Sequence, residues 1–289
     1  MPTSPRTLVP MRAGTGKPLF FVPGISATVD DCRALIHAMR SPRPVFGIEA
    51  RGLDGQQPPL DRIEAIATDY LQQIRSIQPR GPYAVAGYSL GGLVALEIAQ
   101  QLRHGGEQME WLCLLDCYAH DRWLPLGPWL QSRGRFAARH WRKLRAVPLA
   151  RLPAYVKQKS MGAVNRVRER LGHVARQPGD DTHQPVSLLQ QVQDELWIAM
   201  VRYRPRPWHG GPIVYVRAAV MPAELSNPMP LWHRIARGGL IYTELDCSHV
   251  EMLRTPFAER VAALLDDGLA QIPRSTEDDA PDEQLRGAT

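Results

Sequence analysis

The chain alternates between short unbroken apolar runs and longer stretches in which apolar residues return every three or four positions. Six runs read as buried strands: "PLFFVPG" (18–24), "PVFGIEA" (44–50), "GPYAVAGYS" (81–89), "MEWLCLLDC" (109–117), "GPIVYVRAA" (211–219) and "GLIYTELDC" (239–247). Between and after them lie "DDCRALIHAMR", "IEAIATDYLQQIRSI", "LGGLVALEIAQQLRHGG" and "PFAERVAALLDDGLAQI". Their apolar positions, such as Ile63, Ile66, Ala67, Tyr70, Leu71 and Ile74, fall on one helical stripe. Strands with no polar alternation are buried on both faces. The pattern therefore predicts an α/β fold with a mostly parallel central sheet and helices on both of its faces.

Residues 118–204 break the alternation. They read as helical, are punctuated by Pro125, Pro128, Pro148, Pro153 and Pro178, and contain no strand-like run. Because the sheet pattern resumes afterwards, the expectation is one domain over residues 1–272 with a helical lid inserted at about 118–204. Residues 273–289 include "STEDDAPDEQ", which is acidic and poor in apolar residues, and are expected to be a disordered tail.

Composition narrows the classes. The 289 residues carry a formal charge of +6, and 44% are apolar. No run reaches the length of a membrane span, and the first residues lack the roughly 7–15-residue apolar core of a secretion signal. The expectation is a cytoplasmic protein with no membrane partner. Four scattered cysteines (Cys32, Cys113, Cys117 and Cys247) show neither metal-ligand spacing nor a disulfide framework. The charge is uneven, with thirteen Lys/Arg and a single acid, Glu169, between positions 133 and 176. Without interleaved aromatic recognition elements, this basic stretch does not predict specific nucleic-acid binding.

The chemistry concentrates in "AVAGYSLGGLVALEIA". A phosphate-binding loop would need a lysine after its glycines or a different glycine spacing, and neither is present. A structural turn would not need the serine. Gly87-Tyr88-Ser89-Leu90-Gly91 instead fits G-x-S-x-G between a strand and a helix, where a serine is exposed at a sharp corner as a nucleophile. Such a serine needs a base and an acid, following it in the order Asp/Glu then His. His249, just past the last strand and before the last helix, is the predicted base, ahead of His233 within a helix. Asp116, ending the strand "WLCLLD", is the predicted acid, ahead of Glu224 beyond the next strand and of Asp246, which is close to His249 in sequence. The oxyanion donors are expected to be the backbone N–H groups of Leu90 and, from "VPGIS", Ile25.

With these residues placed, the chain resembles the thioesterase domains of nonribosomal peptide and polyketide assembly lines, which have the α/β-hydrolase fold. The resemblance runs from about residue 8 to 270. It is carried by "LVPMRAGTGKPLFFVPG", "VFGIEARGLDGQQPP", "IQPRGPYAVAGYSLGGLVALEIAQQLRHGGE", "LLDCYA", "YRPRPWHGGPIVYVRA" and "DCSHVEMLRTP". The first loop departs from the family, since "VPGISATVDD" stands where many relatives carry a His-Pro/Ala-Gly-Gly run. The resemblance implies that an acyl or peptidyl thioester reaches Ser89 from the phosphopantetheine arm of a carrier protein. The chain is then released by hydrolysis or cyclisation, and the enzyme keeps no permanent cofactor. It also favours Asp116 over Glu224 and makes residues 118–204 the lid. There Trp123, Trp129, Trp141, Tyr155 and Trp197 either line an acyl channel or join lid helices to the core. Alternatives are an editing thioesterase that clears stalled carriers, a general serine esterase, and a non-catalytic binding module. The last would be expected to lack a member of the Ser/Asp/His set.

The basic stretch is either a solvated face or a docking face for the acidic carrier proteins that the resemblance implies. Steering by such a field raises association roughly 10–10³-fold and fades as salt screens it. Charge reversal at Arg139, Arg142 and Lys143 together is therefore expected to lower kcat/KM for a carrier-bound substrate at low salt. A small soluble thioester should be unaffected. Kinetics with both substrates at two ionic strengths check this, and equal losses on the two leave the stretch as solvated surface.

Overall fold

A computed structural model describes residues 7–131, 134, 187–221 and 226–272. Among them seven strands form one sheet: β1 (Leu8–Arg12), β2 (Leu19–Val22), β3 (Val45–Ile48), β4 (Tyr83–Tyr88), β5 (Met109–Leu115), β6 (Ile213–Val220) and β7 (Leu240–Ser248). The spatial order is β1-β3-β2-β4-β5-β6-β7, and every neighbouring pair is parallel except β1 with β3. The α-helices among the described residues include α1 (Arg33–Ala38), α2 (Ile63–Ile77), α3 (Leu90–His104), α4 (Leu188–Arg202), α5 (Met229–Ile235) and α6 (Phe257–Ala270).

Side chains of a strand alternate between faces, and both sets are buried here. Leu19, Phe21, Ala84, Ala86, Cys113 and Leu115 join one core cluster with Leu35 and Ile36 of α1 and Val261 and Leu265 of α6. The alternate residues Phe20, Val22, Val85, Leu112 and Leu114 are equally inaccessible, and α3 contacts β4 and β5. Helices thus cover the sheet on both sides. This is why β4 and β5 read as unbroken apolar runs.

β1 was not legible as a strand. It carries Pro10 and Arg12, pairs only with β3 at the sheet margin, and shifts register between those two residues. An edge strand tolerates a proline because one row of its N–H groups needs no ladder partner.

Residue contacts divide the chain into two compact units, Leu126–Val186 and the remainder. The sheet and the helices α1–α6 all belong to the larger unit. Of the smaller unit, residues 126–131 and 134 are described and are helical. Residues 187–204, which the sequence reading takes as the end of the insertion, fall in the larger unit with the sheet. In α4, Val192, Leu196 and Ala199 are buried, and the helix contacts α2 and α3. Just beyond it, the Tyr203 hydroxyl donates to Glu97 at 2.9 Å, and Arg206 pairs with the same carboxylate at 3.2 Å. Glu97, on α3, is only 2% exposed. Burial first, and then the Glu97 charge, push the Tyr203 phenol well above its ordinary value, so it stays protonated and donates. Basic and proline-rich stretches within residues 133–186, with Trp141 and Tyr155, lie outside the described residues, as does the tail 273–289.

Tyr203→Phe is expected to leave the Glu97 carboxylate short of a donor and to cost about 1–3 kcal/mol, as for other hydrogen bonds to buried charged groups. Urea unfolding followed by circular dichroism checks it, with an unchanged m-value marking a purely native-state loss.

Candidate active site

The parallel register sets the site. Val22 pairs with Gly87, Tyr88 with Leu115, and Leu115 with Val216, so these strands end on one side of the sheet. Past the last ladder residues the Ser89 N–H donates to the Leu115 carbonyl at 2.8 Å, and the Asp116 N–H donates to Val216 at 2.7 Å. Ser89 occupies the corner between β4 and α3 with φ 55° and ψ −123°. That left-handed region is unfavourable for a non-glycine residue and persists only where its surroundings enforce it.

Two glycines allow the corner. A Cβ on Gly87 would be driven into the Gly91 carbonyl, and one on Gly91 into the carbonyls of Val22 and Pro23. The first glycine lets α3 fold back onto β4. The second brings the loop after β2, with Gly24 and Ile25, against the start of α3.

Around Ser89 three side chains form a hydrogen-bonded line. Ser89 Oγ is 3.1 Å from His249 Nε2, and His249 Nδ1 is 2.6 Å from Asp116 Oδ2. An imidazole carrying its proton on Nδ1 donates to the carboxylate and leaves Nε2 to accept from the serine hydroxyl. Asp116 is fully buried, with φ 42° at the end of β5. Its other oxygen accepts from the Ala218 N–H and the Tyr118 hydroxyl, both at 2.9 Å. Burial first, and then the Asp116 charge, raise the Tyr118 phenol, keeping it a donor. The turn beyond Asp116 is held in turn: the Cys117 carbonyl accepts from the Tyr215 hydroxyl at 2.7 Å and from Trp232 Nε1 at 3.0 Å.

His249 follows the edge strand β7. Its segment is clasped by Glu251, whose carboxylate accepts from the Ser248 N–H at 2.8 Å and from the Ser248 hydroxyl at 2.7 Å. Those hydrogen bonds hold the Glu251 carboxyl below its ordinary value. A cavity of about 530 Å³ adjoins Ser89 and His249, with Ile25, Trp197, Val250 and Leu253 among its apolar walls and Asp31, Asp194 and Arg254 among its polar ones.

The sequence-predicted residues therefore fall as follows. Ser89, Asp116 and His249 are brought together, Leu90 is the first residue of α3, and Ile25 stands on the cavity wall. His233 is exposed on α5, and Asp246 is exposed on β7. Glu224 lies outside the described residues. Of the aromatics named between residues 118 and 204, Trp197 lines the cavity, whereas Trp123 sits under the Arg204 guanidinium at 5.2 Å. Sequence reasoning missed Tyr88 and Tyr118. Their signals were an aromatic between Gly87 and Ser89 and a hydroxyl-bearing residue two places after Asp116.

Comparison with known proteins matches residues 17–126 to the thioesterase-domain family model. The matched segment is similar in sequence to that family. It contains β2 to β5, the Ser89 corner and Asp116. Polyketide synthase PksR of Bacillus subtilis (strain 168) is 41% identical over 110 residues, covering 38% of this chain and 4% of that protein. A dimodular nonribosomal peptide synthase of the same organism is 37% identical over 121 residues, covering 41% of this chain and 5% of that protein. The chain thus spans about a twentieth of the length of these relatives. Among solved structures, the RedJ thioesterase from the prodiginine biosynthetic pathway of Streptomyces coelicolor superposes with a TM-score of 0.59 at 19% identity. That superposition covers 88% of this chain and 91% of the other. The two chains therefore share this α/β fold with its mostly parallel sheet.

The clasp on the His249 segment has a defined pH dependence. Because the folded-state carboxyl of Glu251 is depressed, its contribution is present above the ordinary glutamate range and is lost as pH falls through the lowered value. Glu251→Gln is expected to lower the melting temperature at neutral pH, with the difference from the parent vanishing in acid that protonates Glu251. Thermal melts across pH read this directly.

Proposed function

We propose that this protein is a serine thioesterase that releases an acyl or peptidyl chain from the phosphopantetheine arm of a carrier protein in nonribosomal peptide or polyketide assembly. The observation that carries the reading is the Ser89–His249–Asp116 hydrogen-bonded line at the corner of a thioesterase-domain segment. The likeness to two assembly-line synthases favours release over the editing of stalled carriers. We read residues 1–272 as one hydrolase domain with a lid inserted after β5 that ends before α4, whose buried face packs on α2 and α3. The four buried free cysteines fit the reducing cytoplasm.

The steps follow from the parts. His249 Nε2 takes the hydroxyl proton as Ser89 Oγ attacks the thioester carbonyl, and Asp116 steadies the imidazolium that forms. The oxyanion is held by the backbone N–H groups of Leu90, at the start of α3, and of Ile25, in the loop after β2. The tetrahedral adduct collapses by breaking the carbon–sulfur bond, and His249 returns the proton to the thiolate. Water, or a nucleophile within the chain itself, then gives its proton to His249 and attacks the acyl-serine. The released product is an acid or a ring, and Ser89 is regenerated. Phosphopantetheine arrives and leaves with the carrier protein.

Ser89→Ala is expected to reduce turnover of acyl thioesters by roughly 10³- to 10⁶-fold without unfolding the protein. Asp116→Asn should cost about 10⁴-fold by freeing the wrong imidazole tautomer, whereas Glu224→Gln should cost little. Mass spectrometry of products from a panel of acyl and peptidyl thioesters reads rate, substrate and release mode together. Turnover surviving in Ser89→Ala refutes the nucleophile, and reversed effects of the two acid variants refute Asp116.

A further inference from the structure

We propose that Tyr88, the residue immediately before Ser89, is a positioning residue that holds the His249 imidazole between Ser89 and Asp116. This rests on the reading of those three residues as the catalytic line. Tyr88 is at the end of β4 and His249 just beyond the end of β7, and β5 and β6 lie between those strands in the sheet. No ladder hydrogen bond can therefore join the segment that carries the base to the strand that carries the nucleophile. Tyr88 makes that connection twice. Its ring stacks on the imidazole, with centroids 4.7 Å apart and planes 20° from parallel. Its hydroxyl donates to the His249 backbone carbonyl at 2.8 Å.

The two contacts do different things. The hydrogen bond between His249 and Asp116 fixes one ring atom but leaves the ring free to swing about that contact. Stacking against a wall removes the swing and aligns Nε2 with the serine oxygen. The Tyr118 ring meets the imidazole edge-on at 5.9 Å and 65°. The carbonyl contact sets the height of the backbone from which the ring projects. Tyr88 is itself 7% exposed and joins the buried cluster beneath the site, so the wall is rigid. Because it is next to Ser89 in the chain, any shift of the corner carries the wall with it, and the spacing of base and nucleophile is preserved.

The test uses the full chain, hydrolysis of an acyl-N-acetylcysteamine thioester, and the rate at which a fluorophosphonate labels Ser89. Tyr88→Leu removes both contacts. It is expected to lower kcat and the labelling rate about 10–100-fold, the scale of a misplacement near 1 Å, with KM within about twofold of the parent. Tyr88→Phe keeps the ring and loses the hydroxyl, and is expected to lose about three- to fivefold in kcat at unchanged KM. Tyr83→Phe is the comparison for general loosening of β4, since its hydroxyl donates to Glu107 at 2.8 Å. It should leave kcat within about twofold while lowering the melting temperature. Should Tyr88→Leu fail to fold, Tyr88→Phe decides alone. Parental kcat in the folded Tyr88 variants overturns the proposal. So does a raised KM at constant kcat, which would make Tyr88 a substrate contact, and so does an equal loss in Tyr83→Phe. Turnover that survives Ser89→Ala overturns the underlying reading instead, and the proposal with it.

Discussion

The constraint on which the rest depends is the left-handed backbone of Ser89. A serine at φ 55° costs on the order of 1–3 kcal/mol, and only dense surroundings keep it there. These are supplied by neighbours with no side chain to spare: α3 folds back over Gly87, and the loop after β2 lies against Gly91. Strand β4 is buried along its whole length, so the strain cannot relax by moving the strand. The chain turns sharply enough to leave one hydroxyl proud of the sheet.

Asp116 shows the same economy one strand over. It too has positive φ, and it follows Leu115 as Ser89 follows Tyr88, the two preceding residues being register partners. Burying a carboxylate is costly unless it is paired and hydrogen-bonded. Asp116 has both oxygens engaged, by His249, Tyr118 and the Ala218 N–H. Each donor comes from a different element. The acid is therefore fixed by the sheet itself as much as by its immediate turn, and its Ala218 donor ties the end of β5 to β6.

Much of this was legible in the chain because burial on both faces leaves an uninterrupted apolar signature. β2 to β5 carry it, whereas β7 at the opposite edge exposes Ile241, Tyr242, Glu244 and Asp246, and the Gly87–Gly91 spacing marks the corner between β4 and α3. β1 carries no such signature, since an edge strand with Pro10 and Arg12 needs neither full burial nor a complete ladder. The position of α4 was obscured for another reason. Its buried face is only Val192, Leu196 and Ala199, and it adjoins a basic, proline-rich stretch that dominates any window read along the sequence. The role of Tyr88 depends on His249, more than a hundred positions away, and local periodicity cannot show that. For the three residues of the hydrogen-bonded line, motif order and strand ends sufficed.

The crossover between β5 and β6 has an evolutionary consequence. The two strands are direct neighbours, paired from Leu112 with Ile213 to Leu115 with Val216, although everything from Asp116 to Pro212 separates them in the chain. Their register is held by the ladder and by Asp116, not by the length of what joins them. Doubling such a connection adds only about 0.6 kcal/mol of closure entropy. Insertions and deletions there can accumulate under selection for new cargo while the distances among serine, histidine and aspartate remain where the sheet sets them.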